Sequence, residues 1–315
     1  MNKKRVPQDT TVAVLMGGWS AERPVSLSSG EACSGALARA GFKVIPIDVK
    51  RERIVAILQD LQPDVAFNAL HGKWGEDGCC AAVLETLQIP YTHSGVLASS
   101  LAMHKEKSKA IFRACNIPVA ESRLVGLDVV ATQHPMPPPY VVKPVAEGSS
   151  VGVHIVLSTS NGPAAMVLEQ RDLFGSHAMV ERFIPGRELT CAVIGDVAMG
   201  VIDIVSKSSS WYDYTSKYAP GGSQHILPAE IPNDIYRKCQ QYSIVAHQGL
   251  GCRGVSRSDF RFNDTPGGEN ELILLELNTQ PGMTGTSLVP ELAAHGGHSF
   301  EDLVTWMVND ASLDR

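Results

Sequence analysis

The stretch VSRSDFRFNDTPGGENELILLELNTQPGMTGTSLVP, residues 255–290, holds two strand-like runs with a turn signal, Thr265-Pro266-Gly267-Gly268, between them. A chain that turns near Pro266 to Gly268 folds back as a hairpin, which leaves Asp259 and Glu276 roughly equidistant from the turn. Opposed side chains in such a pair lie about 5 Å apart. Alternation along each strand puts Arg257 with Asp259 on one face of the first run, and Glu276 with Asn278 on one face of the second. Two acids, an amide and an arginine therefore gather on one side of the ribbon.

Like charges opposed across a hairpin repel unless something neutralises them, and a divalent cation held by hard oxygen ligands does so. Asp259, Glu276 and Asn278 are the candidate ligands. Magnesium suits so small a set because it keeps waters and takes further oxygens from phosphate. For one acid pair alone, a solvated face with an arginine salt bridge is the simpler account. The two-residue spacing of Glu276 and Asn278, beside NTQPGMTGTS, favours metal plus phosphate.

A second stretch, VVKPVAEGSSVGV at residues 141–153, begins as a buried strand and ends as a Gly/Ser loop with Lys143 between them. Lys143 can meet phosphate oxygens from the strand end, while EGSSVG offers close backbone approach at its glycines and N–H and hydroxyl donors. Lysine precedes the glycines here, so this is not the Walker pattern. Taken alone, the loop also reads as an ordinary exposed turn.

Outward from these two stretches, the chain of 315 residues exceeds one small core and suits two or three domains. Its composition, 44% hydrophobic and 19% charged, is that of a soluble globular protein, with no run near the roughly 18 apolar residues of a membrane span. The N-terminus does not read as a signal peptide. Seven cysteines without a CxxC pair fit reduced thiols in a cytoplasmic protein, and neither a disulfide frame nor cysteine-bound zinc. A net charge of −6 without a basic block argues against a nucleic-acid surface.

TVAVLMGG (11–18), a helix-like SLSSGEACSGALARAG (26–41) and KVIPIDV (43–49) alternate as in an open parallel α/β sheet, and PDVAFNALHG (63–72) and IPYTHSG (89–95) continue the pattern. The first boundary falls near Met103. HKEKSKAIFRACN (104–116) reads as a helix, and HPMPPPY (134–140) as the loop feeding a strand at Tyr140. Residues 188–196 and 197–205 read as antiparallel strands joined at Gly195-Asp196. The polar, aromatic segment 206–225 is expected to be a mobile flap over a site.

These motifs are collinear with those of the D-alanine:D-alanine ligases of the ATP-grasp superfamily, which the sequence resembles over nearly its full length. The resemblance runs through GGWSAERPVSLSSG (17–30), LHGKWGEDG (70–78), SGVLASSLAMHKEKSK (94–109), VVKPVAEGSSVGV, YDYTSKY (212–218), SRSDF (256–260) and LELNTQPGMTGTSLVP (275–290). It implies a mixed α/β and α+β architecture of three domains. These are an N-terminal substrate-binding α/β domain (1–102), a central ATP-grasp domain (103–186), and a C-terminal one (187–315) with the metal site and the flap. ATP would lie between the last two.

The resemblance also implies roles. Lys105 and Lys143 match the phosphate-contacting lysines; Glu181 and Ile184 match adenine-site positions and Glu188 the ribose contact. Arg182 stands where lysine is common. Glu147, Ser149, Ser150 and Lys217 complete the ATP set, and Asp259, Glu276 and Asn278 match the ligands of Mg2+, with Mn2+ as a substitute and two ions expected. Glu22 would hold the ammonium of a first D-alanine with His71 nearby, and Ser287 and the Leu288 backbone the second carboxylate. Arg257 and the Gly282 N–H would stabilise an oxyanion, while Ser149 and Tyr218 link to Glu22 and close the flap. A homodimer serving peptidoglycan synthesis in the cytoplasm is the family expectation.

Each residue has a bland alternative as well. Glu22 precedes a helix start, where the dipole favours an acid; His71 suits a satisfied loop histidine; Tyr218 suits a packing anchor; Ser287 suits an N-cap. His104 replaces the family's usual aspartate, which points to an effect on the local helix start. Three rival functions stand beside the ligase: a nucleotide-dependent oxidoreductase, weakened because Gly17-Gly18 does not make GxGxxG; another ATP-grasp carboxylate–amine ligase; and a nucleotide-binding regulator.

Overall fold

The structure, a computed structural model, describes residues 4–148, 151–160, 162–206 and 222–315. Three sheets succeed one another along the chain. The first is parallel, with β1 (Thr11–Gly17) between β2 (Lys43–Val49) and β3 (Val65–Asn68). Val12 to Leu15 are all fully buried, as a central strand covered on both faces requires. Helices α1 (Arg23–Arg39) and α2 (Ile54–Leu61) make the crossovers, and α3 (Cys79–Thr86) follows. Gly17 has φ +81°, and a Cβ there would stand 2.2 Å from an Asp48 carboxylate oxygen, so only glycine turns this strand end into the loop before α1.

The stretch 89–95 departs from the expected rhythm, because it contributes one bridging residue, Tyr91, in place of a strand. Tyr91 bridges Ala66 on one side and Ser312 on the other, and His93 then takes φ +69°, which turns the chain away from the sheet.

Helices α4 (Val96–Met103) and α5 (Lys105–Ala114) lead to a four-stranded antiparallel sheet, ordered β4 (Ser122–Gly126), β7 (His177–Arg182), β5 (Tyr140–Lys143), β6 (His154–Val156). Helices α6 (Leu127–Thr132) and α7 (Arg171–Phe174) lie within this unit. The third sheet is antiparallel and five-stranded, in the order β10 (Ser223–Ile226), β9 (Val197–Ser206), β8 (Arg187–Ile194), β11 (Val255–Asn263), β12 (Glu271–Asn278). Gly195 turns β8 into β9 as its sequence suggests, with φ +62°. Helix α8 (Asn233–Gly249) packs on this sheet, and α9 (Leu288–His295) and α10 (Phe300–Asp310) close the chain.

The cores do not follow the order of the sheets. Val12, Leu37 and Val65 share one apolar cluster with Ala192, Val255, Leu292 and Val304, so α9 and α10 are packed into the N-terminal core. Phe112 of α5 joins Leu189, Phe260 and Leu274 of the third sheet. The middle sheet has an interior of its own around Val130, Tyr140, Val142 and Val180. A small cluster of Ala120, Ile184 and Ile273 lies where the chain enters and leaves that sheet.

Candidate active site

The β11–β12 hairpin sets the centre of the site. Asp259 pairs with Glu276 and Arg257 with Asn278, while Phe260 and Phe262 alternate into the core. A register shift follows Asp259, since Phe260 pairs with Leu274 and Leu275 is the extra residue. This bulge lets Leu275 and Glu276 both line the cleft while Leu274 and Leu277 stay buried. Arg257 holds Asp259 by two bonds, Nε to Oδ1 at 2.8 Å and Nη2 to Oδ2 at 2.7 Å, and Thr190 donates to Oδ1 at 2.7 Å. Lys105 Nζ stands 3.5 Å from Glu276 Oε2, and Asn278 Oδ1 accepts from the Gln280 N–H at 2.7 Å.

Two connected pockets meet at this ribbon, with Lys105, Glu147 and Glu276 in the wall of both. One is bounded by apolar Val141, Ile155, Ile184 and Leu275 and by charged Lys143, Glu181, Arg182, Glu188 and Asp259. Glu181, 2% exposed, accepts from Lys143 Nζ at 2.9 Å on one oxygen and from Lys109 Nζ on the other. Burial works to raise the Glu181 pKa, but the two ammonium groups outweigh it and hold the carboxyl below its usual range. Arg182 is paired with Glu271 at 2.5 Å.

The other pocket holds Glu22, His71, Arg257, Asn278, Gly282, Ser287 and Leu288 together. Glu22 occupies the N-cap position of α1 without capping it; its carboxylate lies instead against Gly72 and Gly148, where added Cβ atoms would stand 2.7 and 3.0 Å from Oε2. His71 is buried between Glu76, 2.9 Å from Nδ1, and Ser29, 3.1 Å from Nε2. Ser287 takes the N-cap position of α9, yet its hydroxyl bonds to the Thr284 N–H at 2.9 Å and hydroxyl at 2.8 Å rather than to the helix.

A family model described as D-ala D-ala ligase C-terminus matches residues 128–309. The chain is also similar to the D-alanine–D-alanine ligase of Methylobacterium radiotolerans, with 57% identity over 96% of this chain and 99% of the relative, and to that of Rhizobium meliloti, with 56% identity over 96% and 98%. The chain belongs to the D-alanine:D-alanine ligase family. Among solved structures it resembles the D-alanine–D-alanine ligase from Bacillus anthracis complexed with ATP, with TM-score 0.78, 27% identity, and 96% and 97% of the two chains covered. It also resembles the VanG D-Ala:D-Ser ligase from Enterococcus faecalis, with TM-score 0.75, 26% identity, and 95% and 98% covered.

Within this ligase architecture several contributors to the cleft escape motif reading. Arg261 donates to the Ile184 carbonyl at 3.0 Å and the Gly186 carbonyl at 2.8 Å, and stands 3.3 Å from Glu188 Oε2, so it fixes the connector that presents Ile184 and Glu188. Gln280 is held by Asn68 at 2.7 Å and by the Leu70 carbonyl, which ties the NTQPG loop to the end of β3. Lys109 follows Lys105 by one turn of α5, and that spacing is its one sequence signal. His104 occupies the N-cap of α5, where Nδ1 accepts from the Lys107 N–H at a long 3.4 Å.

Ser149, Ser150, Lys217 and Tyr218 lie outside the described residues, as does most of the expected flap. Its ends are strand: Ser206 closes β9 and pairs with Ser223 of β10. No group of three His, Cys, Asp or Glu side chains forms a metal cluster among the described residues. The donor set at the hairpin is two carboxylates and one amide oxygen. That chemistry fits a hard cation completing its shell with water and phosphate.

Proposed function

We propose that this ligase joins two D-alanine molecules into D-alanyl-D-alanine at the expense of ATP, releasing ADP and phosphate through an acyl phosphate. A carboxylate does not condense with an amine at neutral pH because hydroxide leaves poorly. Transfer of the γ-phosphoryl group to the first D-alanine makes phosphate the leaving group. Lys105 and Lys143, in the walls of the cleft, would bind the phosphate oxygens and spread the transferred charge. Asp259, Glu276 and Asn278 would hold Mg2+ or Mn2+, in a two-ion site by family expectation, and bound metal neutralises phosphate charge.

Glu22 would bind the ammonium of the first substrate beside His71. Ser287 and the Leu288 N–H would receive the second carboxylate at the start of α9. The second amine then attacks the acyl carbon. Arg257 and the Gly282 N–H would stabilise the oxyanion, while Ser149 and Tyr218 would complete the closed site. Glu147, Glu181, Arg182, Ile184, Glu188, Ser150 and Lys217 make up the remaining nucleotide contacts in this reading, with domains at 1–102, 103–186 and 187–315. A homodimer in the cytoplasm feeding peptidoglycan precursors accompanies it, in keeping with the family; no helix among the described residues is long and apolar enough to cross a membrane.

The carrying observation is the pairing of Asp259 with Glu276 and Arg257 with Asn278 where the two pockets meet. Protein supplied with ATP, Mg2+ and D-alanine should release phosphate and form the dipeptide. A panel adding D-serine and D-lactate as second substrate separates the neighbouring activities. Turnover with another acceptor and none with D-alanine overturns the assignment.

A further inference from the structure

Lys109 has no surface in the cleft: its side chain is 0% exposed, and it borders neither pocket. Its ammonium nevertheless reaches Glu181 Oε2, while Lys143 Nζ takes Oε1 at 2.9 Å. One lysine would suffice to neutralise one buried acid. The second leaves the cluster with a net positive charge inside the protein, which burial opposes: desolvation pushes the Lys109 ammonium down to about 8, with Glu181 resisting and Lys143 adding to the shift. Replacing buried ion pairs by apolar side chains of similar volume is often neutral or stabilising, so packing alone does not account for this lysine.

The strand register supplies a reason. Val141 pairs with Glu181 and Lys143 with Met179, so Lys143 and Glu181 are diagonal neighbours rather than an opposed pair. Glu181 has several rotatable bonds, and with one partner its carboxylate could follow the Lys143 ammonium wherever that group moved. A second anchor on the far oxygen fixes the carboxylate at two points. Helix α5 supplies that anchor from Lys109 and, one turn earlier, presents Lys105 to both pockets.

We propose that Lys109 is a positioning residue for the nucleotide: from α5 it fixes the Glu181 carboxylate and, through it, holds Lys143 and the recognition edge of Glu181 in the nucleotide side of the cleft. The inference rests on the reading of Glu181 and Lys143 as nucleotide contacts. It predicts that loss of Lys109 acts on nucleotide binding and base selectivity more than on the chemical step.

The test is isothermal titration of ATP into the full chain and its variants, with steady-state kinetics alongside. Lys109→Met should weaken ATP binding about tenfold, the effect of leaving one buried hydrogen-bond partner unmatched. The KM for ATP should rise more than kcat falls, and the preference for ATP over GTP should narrow. Lys109→Met/Glu181→Gln removes the Lys109–Glu181 ion pair as a unit, leaves Lys143 with the same neutral neighbour that it has in Glu181→Gln, and should bind ATP as Glu181→Gln alone does.

Unchanged ATP affinity in Lys109→Met with a lowered Tm marks a merely structural lysine and overturns the proposal. So does a double variant that binds ATP more weakly than Glu181→Gln. If Lys109→Met is too unstable to purify, the comparison of the double variant with Glu181→Gln decides alone. If Glu181→Gln and Lys143→Met both leave ATP binding untouched, the underlying nucleotide reading fails instead, a result distinguishable from failure of Lys109 alone.

Discussion

His247, 4% exposed on α8, pairs through Nδ1 with the Ser256 hydroxyl at 2.7 Å. Burial pushes its pKa down to about 4, with the Arg253 charge adding to the shift and Asp196 opposing it. The unfolded chain takes up this proton near pH 6.5, so between about 6.5 and 4 it binds more protons than the native state. Native stability therefore falls as pH falls through that window, by at most about 1.4 kcal/mol per pH unit for this histidine. Urea unfolding at pH 7.5 and 5.5 should show the loss, and His247→Asn should lessen it, with buried His93, pushed down to about 3 by the same cause, supplying a part that remains. Asp259 and Glu276 were legible because a turn signal fixed their distances from one point. Lys109 was not, because a lysine on an amphipathic helix looks like a solvated one, and its partner Glu181 lies far along the chain. Gln280 was hidden likewise, since an amide between the Asn68 side chain and the Leu70 carbonyl leaves no local pattern.

Strands whose turns announce themselves, such as β8–β9 at Gly195 and β11–β12 at Gly267, were legible as elements. The bulge at Leu275 was not, because it is a property of two strands together and one run of sequence does not carry it. Helix α10 has a readable start in the capping box of Ser299 and Asp302. The start of α5 is weaker, since the ring nitrogen of His104 accepts at 3.4 Å. Asp is among the strongest N-cap residues and its charge suits the helix dipole. His104→Asp should therefore raise stability by about 0.5–1 kcal/mol, read as a higher urea midpoint at unchanged slope. An unchanged or lower midpoint would show that the long contact already satisfies the helix end.

At the scale of the molecule, the partition of cores was the least legible property. Leu37 and Val304 lie in one cluster although most of the chain separates them, and contacts between such distant residues have no local periodicity. Leu37→Ala should cost about 3 kcal/mol as a buried large-to-small change. Because the cluster is shared, amide exchange should quicken together in 11–68 and 288–310, with 122–182 changing less; loosening of 11–68 alone would refute a common core.

The sheet that carries Lys143 and Glu181 stands apart from this arrangement. The polypeptide crosses into it once, near Ala120, and out of it once, over 183–186, and both crossings meet at the little cluster of Ala120, Ile184 and Ile273. Arg261 grips the outgoing strap by two carbonyls. Such a layout makes a door hung on two straps at one post, against a frame whose other sides are welded into each other. The post belongs to the cleft as well, through Ile184 and Arg261, so a substitution there would alter both how the door hangs and the wall it faces.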